Sequence, residues 1–141
     1  MTDLAADWSD RTAPTLDDFE VLARAALEAL PPPFRDLVKD VECVVADFPE
    51  EEVLDDLGIE SAFDLMGLFT GIGMTHDAVT PQSGQFPNRI HLYRRPILDF
   101  WAENEETLGT IVTHVLVHEL GHHFGYSDED MEAIEAAAEG A

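Results

Sequence analysis

A chain of 141 residues, 45% of them apolar, has enough material for one domain with a single hydrophobic core, so neither a disordered nor a multidomain reading is needed. Thirty Asp and Glu against seven Lys and Arg give a formal charge of −23, which repels phosphate backbones and anionic bilayers and argues against nucleic-acid or membrane partners. The excess acid suits solubility, cationic ligands or divalent metals, and a solvated acidic surface accounts for most of it.

The first stretch, "MTDLAADWSDRTAP", has no basic n-region and no apolar h-region, and no apolar run reaches the length of a membrane span. The expectations are a flexible acidic tail over 1–14, a single domain over 15–141 and a soluble, cytoplasmic protein. Thr15 and Asp18 have the spacing of a capping box and open a helix. Leu16, Phe19, Leu22, Ala23, Ala26, Leu27 and Leu30 follow at helical spacing, until "PPP" at 31–33 stops it. A short helical turn at Phe34 to Val38 precedes "VECVVADF", 41–48, whose β-branched content predicts a strand. Cys43 lies inside that run, where cysteine behaves as a small buried hydrophobe, and no nearby base would activate it as a thiol nucleophile.

"PEEEVLDDLGIES" reads as loop plus helical turn. "FDLMGLFTGIGM", 63–74, is apolar but broken by Gly67, Gly71 and Gly73, which suits an edge strand. A surface loop over Thr75 to Asn88 separates it from "RIHLY", 89–93, a further strand by its alternation. After Pro96, "ILDFW" suggests one helical turn. Asn104 then reads as the N-cap of a helix running to about Phe124, with Glu105 and Glu106 complementing its dipole. That helix is apolar on most sides, through Leu108, Ile111, Val112, Val115, Leu116, Val117 and Leu120, and is therefore expected at the centre of the molecule. Gly125 supplies its stop, and an acidic, alanine-rich helix from about Asp128 to Ala138 turns Met131 and Ile134 inward.

On this buried helix His118 and His122, four apart, stand on one face about one turn from each other, as two ligands of one Zn²⁺ must. Glu119 projects to the edge of that face, where it reaches a bound water rather than the metal, the position of a general base. Beyond the turn at Gly125, Asp128 is placed to offer a third ligand and leave the fourth position to water. Its competing role is helix N-cap, shared with Ser127, and Glu129 and Asp130 are substitutes as ligand. His-Glu-x-x-His arises in roughly a few per cent of shuffles of this composition; Gly and Asp at their offsets lower that to roughly a few in ten thousand. Left unpaired on a buried helix, the two histidines and Glu119 would cost several kcal/mol on the order-of-magnitude scale for buried polar groups, and a metal is the simplest compensation. His114, about 12 Å along the axis from His122, is too far to share the ion and suits a packing or supporting role, as does His123.

"HELGHHFGYSD" resembles the extended zincin motif His-Glu-x-x-His-x-x-Gly-x-x-His/Asp in its Asp-ending form. With "LPPPFRDLVKDVECVV", "DLMGLFTGIG" and "NRIHLYRRPIL", the chain resembles, from about Leu16 to Ala138, the minimal bacterial zincin-like metallopeptidases, formerly a domain of unknown function. The resemblance implies an α+β fold in which a small mixed sheet packs on a central motif helix with flanking helices and a cleft beside an edge strand. It also implies zinc and peptidase chemistry. Aspartate in place of the metzincin histidine, and Met131 following too soon for a Met-turn, keep metzincin substrate rules out of the reading.

The expected reaction is hydrolysis of a peptide or unfolded-protein substrate, with Glu119 as base and Tyr126, or failing that His91 or Arg89, holding the oxyanion. The substrate would lie extended along the "DLMGLFTGIG" edge. The alternative is a non-catalytic, metal-stabilised regulatory or interaction module, in which His76 or His91 closes the site as a fourth ligand. A third class, an acidic protein-binding domain without metal, predicts stability indifferent to chelators.

Overall fold

The structure, a computed structural model, describes residues 8–71 and 88–139. Thr15 starts the first helix reciprocally: its Oγ1 accepts from the Asp18 N–H at 3.1 Å, and Asp18 Oδ2 accepts from the Thr15 N–H at 2.8 Å. Helix α1 covers Leu16–Glu28 and buries Phe19 and Ala23. Pro32 and Pro33, whose missing N–H groups cost nothing in a first turn, open α2 at Pro32–Val38. Strand β1, Glu42–Ala46, is followed by α3, Glu51–Leu57, which ends on the left-handed Gly58 at φ 70°.

A 3₁₀ turn at Ala62–Asp64, capped by the Ser61 hydroxyl, leads into β2, Gly67–Thr70. The predicted edge strand is thus shorter than 63–74, because its first residues are spent on the turn. The reading of 75–88 as a loop falls, Asn88 apart, outside the described residues. Strand β3 occupies Arg89–Tyr93 and runs straight into α4, Arg94–Glu103, ten residues rather than one turn after Pro96. Pro96 is the third residue of that helix, where no intrahelical N–H bond is lost.

Asn104 is not the N-cap of the next helix. It ends α4, its Nδ2 donating to the Phe100 carbonyl at 2.7 Å. Thr107 is the cap instead, accepting from the Thr110 N–H at 3.1 Å, and α5 spans Leu108–His123. Helix α6, Asp128–Glu139, follows the left-handed Gly125 at φ 81°.

The sheet has the order β1-β3-β2, with β3 parallel to β1 and antiparallel to β2. Cys43, Ile90, Leu92, Gly67 and Phe69 share one face by register and alternation, whereas Val44, His91 and Leu68 share the other. Helices α1 and α5 pack on the sheet and on each other, α6 and α4 flank α5, and the core lies between these layers. All seven apolar positions singled out on α5 are buried, with Val112, Val117 and Leu120 at 0% exposure, so the helix is central as its all-round hydrophobicity requires. The fold is α+β, a small mixed sheet packed on the motif helix. No helix among the described residues is long and apolar enough to cross a membrane.

Candidate active site

Because α5 is regular from Leu108 to His123, the four-residue spacing brings His118 and His122 together with ring centroids 4.5 Å apart and planes at 83°. Among the described residues neither ring has a hydrogen-bond partner for its nitrogens. Burial holds the His118 imidazole below its ordinary pKa, His122 and His114 add to this, and Asp128 and Glu135 oppose it. A neutral imidazole with an unused lone pair is the form in which histidine serves as a metal ligand.

One step round the helix, Glu119 is half-buried, and burial raises its carboxyl above the usual range, against the pull of His122. It lines a groove of about 220 Å³ together with His114, Val115 and His118 from α5, and Asp64, Leu65, Met66 and Gly67 from the turn and the start of β2. The groove therefore runs between the histidine face of the central helix and an edge strand. Gly67 makes this approach possible: a β-carbon there would lie 2.6 Å from Val115 Cγ1 and 3.5 Å from Glu119 Cγ.

Asp128 heads α6 and is exposed. It is not the N-cap: Ser127 Oγ accepts from the Asp130 N–H at 3.1 Å, and Asp130 Oδ2 accepts from the Ser127 N–H at 3.3 Å. That leaves the Asp128 carboxylate without a capping duty, and its charge is felt at His118. It makes no ion pair with either histidine, and among the described residues no three His, Cys, Asp or Glu side chains converge as a ready-made metal site. The two imidazoles fit two positions of a zinc ion by chemistry and spacing, and Asp128 is the nearby oxygen donor free to complete the set.

The remaining histidines divide by neighbour. His114 Nδ1 pairs with Glu135 Oε1 at 2.9 Å, and its ring lies 5.7 Å from that of His118, nearly parallel. His123 stacks on Phe69 at 3.8 Å and meets Phe124 edge-on, with its Nε2 buried and unbonded. His91 and Arg89 stand apart from the groove: His91 Nε2 is 3.1 Å from Thr70 Oγ1, and Arg89 pairs with Glu42 at 2.9 Å. His76 lies outside the described residues.

Tyr126 is likewise not among the groove's lining residues. Its ring packs on Phe34 at 5.1 Å, and its N–H donates to the Gly121 carbonyl at 2.8 Å. Asp64, Leu65 and Met66, which form the opposite wall, open the stretch expected to take an extended substrate, but they precede the strand, Asp64 ending a 3₁₀ turn. Only the 3₁₀ turn, invisible in hydropathy, carries them to the helix.

With this geometry in hand, comparison with known families finds that the zincin-like metallopeptidase family matches residues 38–138, well over half of the chain. No curated protein matches it.

Proposed function

The chain belongs to the zincin-like metallopeptidase family, and from that premise we propose that it hydrolyses peptide bonds with zinc held by His118 and His122 and completed by Asp128. The observation that carries the proposal is the pair of crossed imidazoles, unpartnered among the described residues, of which His118 lines one groove with a half-buried Glu119 opposite the start of an edge strand. Zinc in such a site supplies Lewis acidity, which activates water near neutral pH and polarises a carbonyl.

The protein's own share of the chemistry falls to Glu119. Its carboxylate accepts the proton of the attacking water and passes it to the departing amine, and a carboxyl pushed upward by burial is a better base for that purpose. The edge of β2 offers main-chain groups to an extended substrate, so peptides and unfolded segments are the substrates it fits best. Tyr126, on the turn beyond the histidines, is the candidate for oxyanion support, although its ring packs on Phe34 and it does not line the groove.

The regulatory alternative needs a closed, four-ligand site. His91, one of its two candidate fourth ligands, sits against Thr70 and does not line the groove, which weakens that reading. The deciding experiment is metal analysis of the purified protein followed by a peptide-library digest with wild type and Glu119→Gln. One zinc per chain, with cleavage by wild type and a loss of about 100-fold or more in the variant, supports the proposal. One zinc with every peptide left intact by both proteins hands the site to the regulatory reading.

A further inference from the structure

The wall of the groove opposite the histidines ends in an acid. Asp64 is the last residue of the 3₁₀ turn, its N–H bonded to the Ser61 carbonyl at 3.0 Å. The residue before it, Phe63, is fixed by the Ser61 cap at 3.2 Å and by an edge-on contact with Phe48 at 5.2 Å. These contacts hold the backbone that presents Asp64 to the groove. Asp64 is exposed and forms no ion pair with any described residue.

All seven cationic side chains of the protein belong to described residues, and none lines the groove. Arg89 is held by Glu42, Arg94 by Asp47 and the Pro14 carbonyl, and Arg95 lies over Phe48. The groove holds two carboxylates, Asp64 and Glu119, and no Lys or Arg lines it to offset Asp64. Beside these acids and His114 and His118, the groove is lined by Gly67 and by three apolar side chains, Leu65, Met66 and Val115.

A groove that sets the apolar side chains of Leu65, Met66 and Val115 beside an unpaired Asp64 suits a long alkyl stem carrying a cation. We infer that this groove selects cationic peptides, seating a Lys or Arg side chain of the substrate along Leu65, Met66 and Val115 with its charged head at Asp64. The inference rests on the peptidase reading of the same groove. The overall charge of −23 acts in the same direction at longer range, drawing cationic peptides toward the protein in a salt-dependent way.

The test uses the full, zinc-loaded chain. A peptide-library digest first locates the cleavage sites. Paired fluorogenic peptides are then compared that differ only in Lys, norleucine or Glu at each position flanking the cut. The expected result is a kcat/KM for Lys over norleucine of about threefold to fivefold at low salt, the scale of one exposed ion pair, shrinking toward one at about 1 M salt. The ratio should collapse in Asp64→Asn, persist in Asp64→Glu, and turn in favour of the Glu peptide in Asp64→Lys. Cleavage without a cationic preference, or a preference that Asp64→Asn and Asp64→Lys leave in place, overturns the inference and spares the peptidase reading. If wild type cleaves none of the peptides, the peptidase reading fails and takes this inference with it.

Discussion

Cys43 shows how one residue's chemistry is set by the helix above it. Its side chain faces α1 from β1, and burial, reinforced by Glu20 and opposed by Arg24, pushes the thiol from 9.0 up to about 11. The reactive species is the thiolate, so each unit of upward shift removes about nine-tenths of it at neutral pH. Alkylation of the native protein by iodoacetamide at pH 7.5 should therefore run about 100-fold slower than that of a cysteine of ordinary pKa, and recover the ordinary rate in denaturant. A native rate within a few-fold of the unfolded one would mean that the α1–β1 contact opens readily. His118 and Glu119 are governed by the same force with opposite consequences: desolvation lowers the imidazole and raises the carboxyl, which leaves one a free lone pair and the other a stronger base.

Between elements, the decisive distance is the approach of β2 to α5, and Gly67 sets it. An added β-carbon would sit 2.6 Å from Val115 Cγ1 and 3.2 Å from the His91 carbonyl, and Val115, β-branched and 4% exposed, has little room to turn away. Gly67→Ala should cost about 1–3 kcal/mol in denaturant unfolding, the range for overpacking a core. It should lower kcat/KM beyond what the stability loss explains, because the Val115 side chain that must give way lines the groove beside Glu119. Full stability in this variant would show that the strand shifts freely.

This contact also marks how far the sequence could be read. The motif helix was legible because hydrophobic periodicity, the histidine spacing and Gly125 all agree on it. The Thr15 box and β3 were legible for similar local reasons. Asn104 misled because Asn followed by two acids imitates a helix start, whereas Thr107 wins by accepting from Thr110. Pro96 misled because a proline is read as a boundary, although in the first turn of α4 it is only a tolerated residue. The far wall of the groove depends on a 3₁₀ turn and a glycine whose meaning is the helix it lies against, and neither fact is local to the sequence around it.

For the molecule as a whole, the metal reading carries a linkage consequence that separates it from an acidic module without metal. A ligand that binds only the folded state stabilises it by about 2.7 kcal/mol at a free concentration 100 times its Kd. For a domain of this size that corresponds to a rise in Tm of about 10 °C. The charge of −23 complicates the measurement, because any cation relieves self-repulsion on so acidic a surface. The comparison must therefore be made at fixed ionic strength, with magnesium at the same concentration as the control for diffuse charge neutralisation. Zinc should raise the Tm of the metal-stripped protein well above magnesium. Glu119→Gln should keep that excess, since a general base is not a ligand, and His122→Ala should lose it. Asp128→Asn should lose part of it, because an exposed carboxylate free of capping duty has to move onto the ion as it binds. Equal shifts from zinc and magnesium in the wild type would place the histidine pair outside metal chemistry and leave the protein as an acidic binding domain built on a zincin-like frame.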